Sequence, residues 1–183
     1  MKRITRIIMI ASALLLAGCS ALELDETTDE LWDYPIVDWY PVNVVITVSD
    51  KAGNDLLDPN RPGNYAKGTT LTFCGTTYEV QRDVSTKFYL AHMQGLQLKR
   101  DTLYLSATEK KYCYFLDFGE IDGAKDFDED LVIRWSDGKK DVIHYKCSNH
   151  HITKQKDGSW DIGCDRSWKL NKKAASNPFF LVK

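Results

Sequence analysis

The chain has no HExxH motif, no glycine-rich phosphate loop and no G-x-S-x-G elbow. Those absences remove the motif-borne routes to a zincin protease, a phosphate-cradling nucleotide enzyme and an α/β-hydrolase. Its cysteines never form C-x-x-C doublets, which argues against a structural zinc site of the usual kind. Histidine is scarce, with His92, His144, His150 and His151 the whole supply. Basic excess is missing too. The 24 Lys and Arg stand against 26 Asp and Glu, whereas a nucleic-acid partner would normally require a basic face. No segment shows a three-turn helical pattern, no tract repeats, and no break in composition marks a second folded domain.

What is present begins with the layout of an export signal. Lys2, Arg3 and Arg6 give a positive start, and an apolar run follows over residues 7–17, interrupted by Ser12. A membrane span needs about 20 apolar residues, so this run is too short. It ends in Leu16-Ala17-Gly18-Cys19, which resembles the lipobox of bacterial lipoproteins. The resemblance implies that residues 1–18 are a signal peptide and that Cys19 is diacylated on sulfur and becomes the first residue. Two or three acyl chains hold a protein on a membrane far more firmly than one.

Between Cys19 and Lys51 there is no Lys or Arg, while Glu23, Asp25, Glu26, Asp29, Glu30, Asp33 and Asp38 supply acid. Such a stretch stays solvated and is repelled by an anionic lipid surface. Residues 19–35 are therefore expected to be a lipidated acidic tether with an entry strap, and residues 36–183 a single domain. Acids behind the lipidated cysteine also resemble the surface-export signals of Bacteroidota lipoproteins. That likeness implies an outer-membrane anchor and leaves the periplasmic leaflet and the cell surface both open.

With Cys19 committed to lipid, Cys74, Cys113, Cys147 and Cys164 remain. An even number in an exported chain is expected to form two disulfides, and four cysteines allow three pairings.

From Val42 the sequence reads as strand. Val42, Val44, Ile46 and Val48 alternate with Asn43, Val45, Thr47 and Ser49. Further strands are expected at 69–74, 77–82, 87–93, 96–99, 102–106 and 112–118, with a last one at 179–182. Residues 112–118 are apolar on both sides, which suits a central strand. Residues 131–147 form the clearest unit. A two-residue loop at Asp137-Gly138 would split Ile133 and Trp135 from Ile143 and Tyr145 across the two faces. A three-residue loop, Ser136-Asp137-Gly138, pairs Trp135 with Lys139 and Leu131 with Ile143, gathering the apolar residues and Cys147 on one face. The expected fold is all-β, a two-sheet immunoglobulin-like or related Greek-key sandwich, with a β-barrel as the alternative.

Chemistry is harder to find. Asp122, Asp126, Asp128 and Asp130 crowd one loop and offer the oxygen ligands that calcium takes, although the EF-hand glycine and terminal glutamate are missing. The plainer reading is a charged turn. His150 and His151 could meet His144 or Asp141 around a transition metal. Neighbours on an extended strand point to opposite faces, however, so both cannot share an ion unless the backbone turns. Trp32, Trp39 and Tyr40, or Trp160 and Trp168, could form a stacking platform for a sugar or peptide, or could simply cover the open ends of the domain. No nucleophile carries a motif, and the acids lie in turn-like contexts.

The lipobox, the NVVITVSDKAGNDLLDP stretch from Asn43 and the IRWSDGKKD hairpin from Ile133 together resemble small Bacteroidota lipoproteins of unknown function with an exported β-sandwich domain. The resemblance implies location and fold. The expected function is a non-enzymatic envelope module for a protein, peptide or glycan, with no cofactor. The alternatives are a calcium-stabilised adhesion-type domain using Asp122–Asp130 and a secreted hydrolase, which would need a pocket of convergent polar groups.

Overall fold

Three turns share one sequence solution, and they set the lengths of the strands around them. In 50–54, 135–139 and 155–159 the first residue's N–H donates to the fifth residue's carbonyl, and the fourth residue's N–H donates back to the first. The fourth residue is Gly53, Gly138 or Gly158, at φ +84°, +82° and +86°. Only glycine enters that left-handed region without steric cost. The second of these turns is the expected three-residue loop, and the register confirms it: Leu131 pairs with Ile143 and Ile133 with Asp141.

A computed structural model describes residues 35, 37, 39–82, 94–104 and 108–183. The expected signal peptide, most of the tether, the strand at 87–93, and Cys19, Trp32 and His92 lie outside them. Residues Val37–Lys183 form one compact unit.

The described strands are β1 (Val42–Ser49), β2 (Thr70–Phe73), β3 (Thr76–Arg82), β4 (Gly95–Tyr104), β5 (Lys110–Ile121), β6 (Phe127–Arg134), β7 (Lys140–Lys154), β8 (Trp160–Leu170), β9 (Lys173–Ala175) and β10 (Phe179–Val182). The separate strands expected at 96–99 and 102–106 begin as one, β4, because its ladder with β5 runs unbroken from Gly95 to Tyr104. β5 is central, between β1 and β4, and is buried on both faces at Leu116 and Phe118 and at Phe115 and Asp117.

All ten strands join in one mixed sheet, ordered β10-β1-β5-β4-β3-β2-β6-β7-β8-β9. One strand serves two layers. β3 pairs antiparallel with β2 through Glu79 and parallel with β4 from Val80 onward. The sheet therefore turns a corner at β3, and its inner faces meet: Phe73 packs edge-on to Phe118 at 5.7 Å.

The order also forces curvature. β9 ends at Ala175 and β10 begins at Phe179, yet they occupy opposite ends of the sheet. The four Cα steps between those residues span at most about 14 Å, whereas ten flat strands would separate the ends by about 43 Å. The sheet must curl until its ends meet, giving an all-β, nearly closed, barrel-like fold. Of the two architectures that the alternating pattern allows, this is the barrel variant.

Side chains complete the closure. Trp168 on β8 stacks on Tyr145 at 4.2 Å and meets Phe179 on β10 edge-on at 5.6 Å. Lys183 reaches the buried carboxylate of Asp141, which also accepts from Trp135 Nε1 at 2.6 Å and Asn171 Nδ2 at 2.7 Å. Asn177 docks β10 to β1, accepting from Val45 N and donating to the Asn43 carbonyl. Among the described residues no helix is long and apolar enough to cross a membrane.

Candidate functional site

The inner face of β7 continues past the hydrophobic core into a cluster of sulfur and nitrogen. Tyr145 and Cys147 are fully buried, and Cys147 pairs across to Arg166 on β8. Strict alternation would then turn residue 150 outward. Instead the register slips: Ser148 pairs with Asp165 and His151 with Gly163, so Asn149 and His150 together oppose Cys164. This is a two-for-one bulge, a device that re-aims side chains. Asn149 takes the left-handed conformation at φ +56°, which asparagine tolerates better than most residues.

The bulge brings His150 to the side of Cys147 and Cys164. The sulfurs of Cys147 and Cys164 are 3.6 Å apart, and Cys147 Sγ lies 3.7 Å from His150 Nε2. All three ligand atoms fall within 4.8 Å of one another. His150 Nδ1 lies 2.7 Å from Asp126 Oδ1, its Nε2 lies 2.9 Å from the Gly123 carbonyl, and Trp39 meets the ring edge-on at 4.8 Å. The adjacent His151 points the other way, towards Asp161 on the outer face. The two neighbouring histidines therefore serve different surroundings. His150 and His151 lie on β7 rather than in a loop after Cys147, because that strand runs on to Lys154.

Electrostatics around the cluster follow from burial. The Tyr145 phenol is pushed up, first by burial and then by the neighbouring Cys147, and its hydroxyl is buried without a partner at hydrogen-bonding geometry. Burial and the Cys147 contact also raise the Cys164 thiol, which nearby Arg166 partly offsets. Burial would lower Arg166, but its contact with Cys147 and the proximity of Cys164 and Tyr145 outweigh that and raise it.

Two disulfides are expected from the cysteine count, whereas all four described cysteines are free thiols in this structure. Cys147 and Cys164 are neighbours at 3.6 Å, well beyond the ~2.05 Å of a disulfide bond. Cys74 and Cys113 occupy different places. Cys74 is exposed at the β2–β3 turn near Glu129, and Cys113 is buried on β5 near Asp55.

The four aspartates of the expected calcium loop do not converge on one point. Asp122 caps its own turn at Ala124 N and pairs with Lys125. Asp126 holds His150, Asp128 faces Lys146 and His144, and Asp130 faces His144. The loop is also shorter than expected, because β6 begins at Phe127 and places Asp128 and Asp130 on a strand. Among the described residues, the convergent ligand group is Cys147, His150 and Cys164.

The expected aromatic platforms separate as well. Trp168 is occupied by the closure, Trp39 by His150, and Trp160 lies under the Lys154 ammonium, while Tyr40 is largely exposed. Sequence reasoning missed a different aromatic surface. The β4–β5 hairpin carries Arg100, Tyr104, Lys110, Tyr112 and Tyr114 on one face, beyond the core residues Leu96, Leu98, Leu116 and Phe118. Arg100 lies over the rings of Tyr112 and Tyr114 at 4.8 and 5.0 Å, and Tyr104 and Tyr112 are 73% and 61% exposed. The chain matches no protein-family model, no curated protein and no solved structure.

Proposed function

We propose that this chain is a non-enzymatic lipoprotein of the cell envelope, anchored through Cys19, whose β domain binds a protein or peptide partner carrying acidic groups. The address rests on the lipobox-like Leu16–Cys19 behind a short apolar run. The binding role is carried by the β4–β5 hairpin, where exposed Tyr104 and Tyr112 flank an arginine held against tyrosine rings. Tyr and Arg concentrate at protein interfaces because they offer large, rigid contact area with a polar tip. Arg100 and Lys110 on that face favour an acidic partner.

A photo-crosslinking residue at position 104 in living cells should give one discrete adduct. That adduct should weaken with Arg100→Glu and should not form from position 157. No adduct from position 104, or equal adducts from both positions, would count against the reading. Retention on immobilised glycans that Arg100→Glu leaves unchanged would replace the peptide partner with a sugar. Metabolic labelling with an acyl probe should be lost in Cys19→Ser, and label retained in that variant would sink the anchor.

A further inference from the structure

We propose that Cys147, His150 and Cys164 form a binding site for one zinc-type ion, with both thiolates and the His150 Nε2 as ligands and a fourth position open to water. The proposal stands apart from the partner-binding reading and uses none of its residues. Zinc binds thiolate at about 2.3 Å and imidazole at about 2.0–2.1 Å, usually tetrahedrally. Those lengths place two thiolates about 3.8 Å apart, and a thiolate and an imidazole nitrogen about 3.5 Å apart. The observed separations are 3.6 Å and 3.7 Å. The remaining edge, between Cys164 and His150, lies within 4.8 Å.

The surroundings supply what such a centre needs. Asp126 at His150 Nδ1 fixes the ring with Nε2 between the Gly123 carbonyl and Cys147 Sγ, the carboxylate–histidine arrangement that orients metal-bound imidazole. Loading would exchange the present Nε2 contact with the Gly123 carbonyl for the ion. The Tyr145 hydroxyl is buried without a partner at hydrogen-bonding geometry, and a nearby thiolate would accept from it more strongly than a thiol. A divalent cation balances the charge of two thiolates, with the Arg166 guanidinium beside Cys147 and Cys164 as further positive charge at the sulfurs. Thiolate and imidazole select a thiophilic ion over calcium.

Cobalt(II) titration of the full mature chain, detergent-solubilised and kept reduced, tests this directly. We expect one cobalt per chain, thiolate-to-cobalt charge transfer in the near ultraviolet and the strong visible bands of a tetrahedral site, all displaced by zinc. Cys164→Ser, which alters a half-buried thiol rather than the fully buried Cys147, should lose most of the charge transfer, while Cys74→Ser should keep it. Asp126→Asn should weaken binding about 10–100-fold without changing the spectrum, as expected of a positioning residue. A reduced chain with an intact β-type circular dichroism spectrum and no charge transfer would overturn the proposal, as would an unchanged band in Cys164→Ser. A chain isolated with Cys147 and Cys164 joined as a disulfide, which takes no cobalt after reduction, would make the pair a crosslink and also overturn it.

Discussion

Asp141 shows how much one buried side chain can control. It lies on the inner face of β7, where the alternation would otherwise put an apolar residue, and it is accepted there because Trp135, Asn171 and Lys183 all donate to it. Burial alone would raise its carboxyl, but those donors outweigh burial and hold it below the ordinary 3.8. The sign follows from linkage. A group whose folded pKa lies below its unfolded one stabilises the fold fully above the unfolded value, and that contribution fades as pH falls through the folded value. Urea unfolding of the wild type should therefore weaken as pH drops below about 4. Asp141→Asn should start weaker at neutral pH and fall less steeply. Asp50, Asp137 and Asp157 are also held low by hydrogen bonds in their turns, but they titrate in both proteins, so the difference between the curves isolates Asp141. Parallel curves would remove it from the account. Asp141→Ala, which strands Lys183 against the Trp135 ring, should cost about 3–5 kcal/mol.

At the scale of elements, the three glycine turns make a matched set. A Cβ at Gly53, Gly138 or Gly158 would meet nothing within 4 Å, so a substitution there tests backbone conformation and little else. Each Gly→Ala change should cost about 1–2 kcal/mol, and Gly→Asn less, measured as shifts in urea midpoint. A neutral Gly138→Ala would show that the left-handed φ is not being enforced. The acidic β5–β6 segment yields a second expectation. Its four aspartates already serve a turn, three histidine contacts and two lysines, so millimolar calcium should leave the melting temperature unchanged; a clear rise would mean that they can be regathered around an ion.

These same elements show what could be read in advance. The 131–147 hairpin was legible because Asp137-Gly138 fixes the turn, and burial of Trp135 and Ile143 rejects every other register. β1 and β10 were legible by alternation, but their parallel pairing was not, because partners more than 130 residues apart leave no local pattern. The corner in β3 was invisible because nothing in its own residues marks where antiparallel pairing with β2 gives way to parallel pairing with β4. The thiol–imidazole cluster was hidden by the bulge, since a strict period of two places His150 outside. Asn149, a residue suited to the left-handed region in the middle of a strand, is the one signal that could have revealed it.

At the scale of the whole molecule, backbone hydrogen bonds carry the sheet from β10 round to β9, while the remaining gap is bridged by side chains. If Trp168 and Phe179 hold the curl, their contributions must depend on each other, because the β8 ring loses its edge-on partner when the β10 ring is gone. If the curl is imposed by the short β9–β10 link alone, the two truncations should simply add. A double-mutant cycle separates these cases. Phe179→Ala removes a ring only 2% exposed and should cost about 3–5 kcal/mol by itself. Phe180→Ala, on the outward face at 49% exposure, should stay within about 0.5 kcal/mol and serves as the control on strand propensity. Trp168→Ala combined with Phe179→Ala should then cost less than the two single changes added together, by the about 0.5–1.5 kcal/mol that aromatic pairs contribute beyond area. Strict additivity would leave the chain connection, and the Lys183–Asp141 contact beside it, as what closes the barrel.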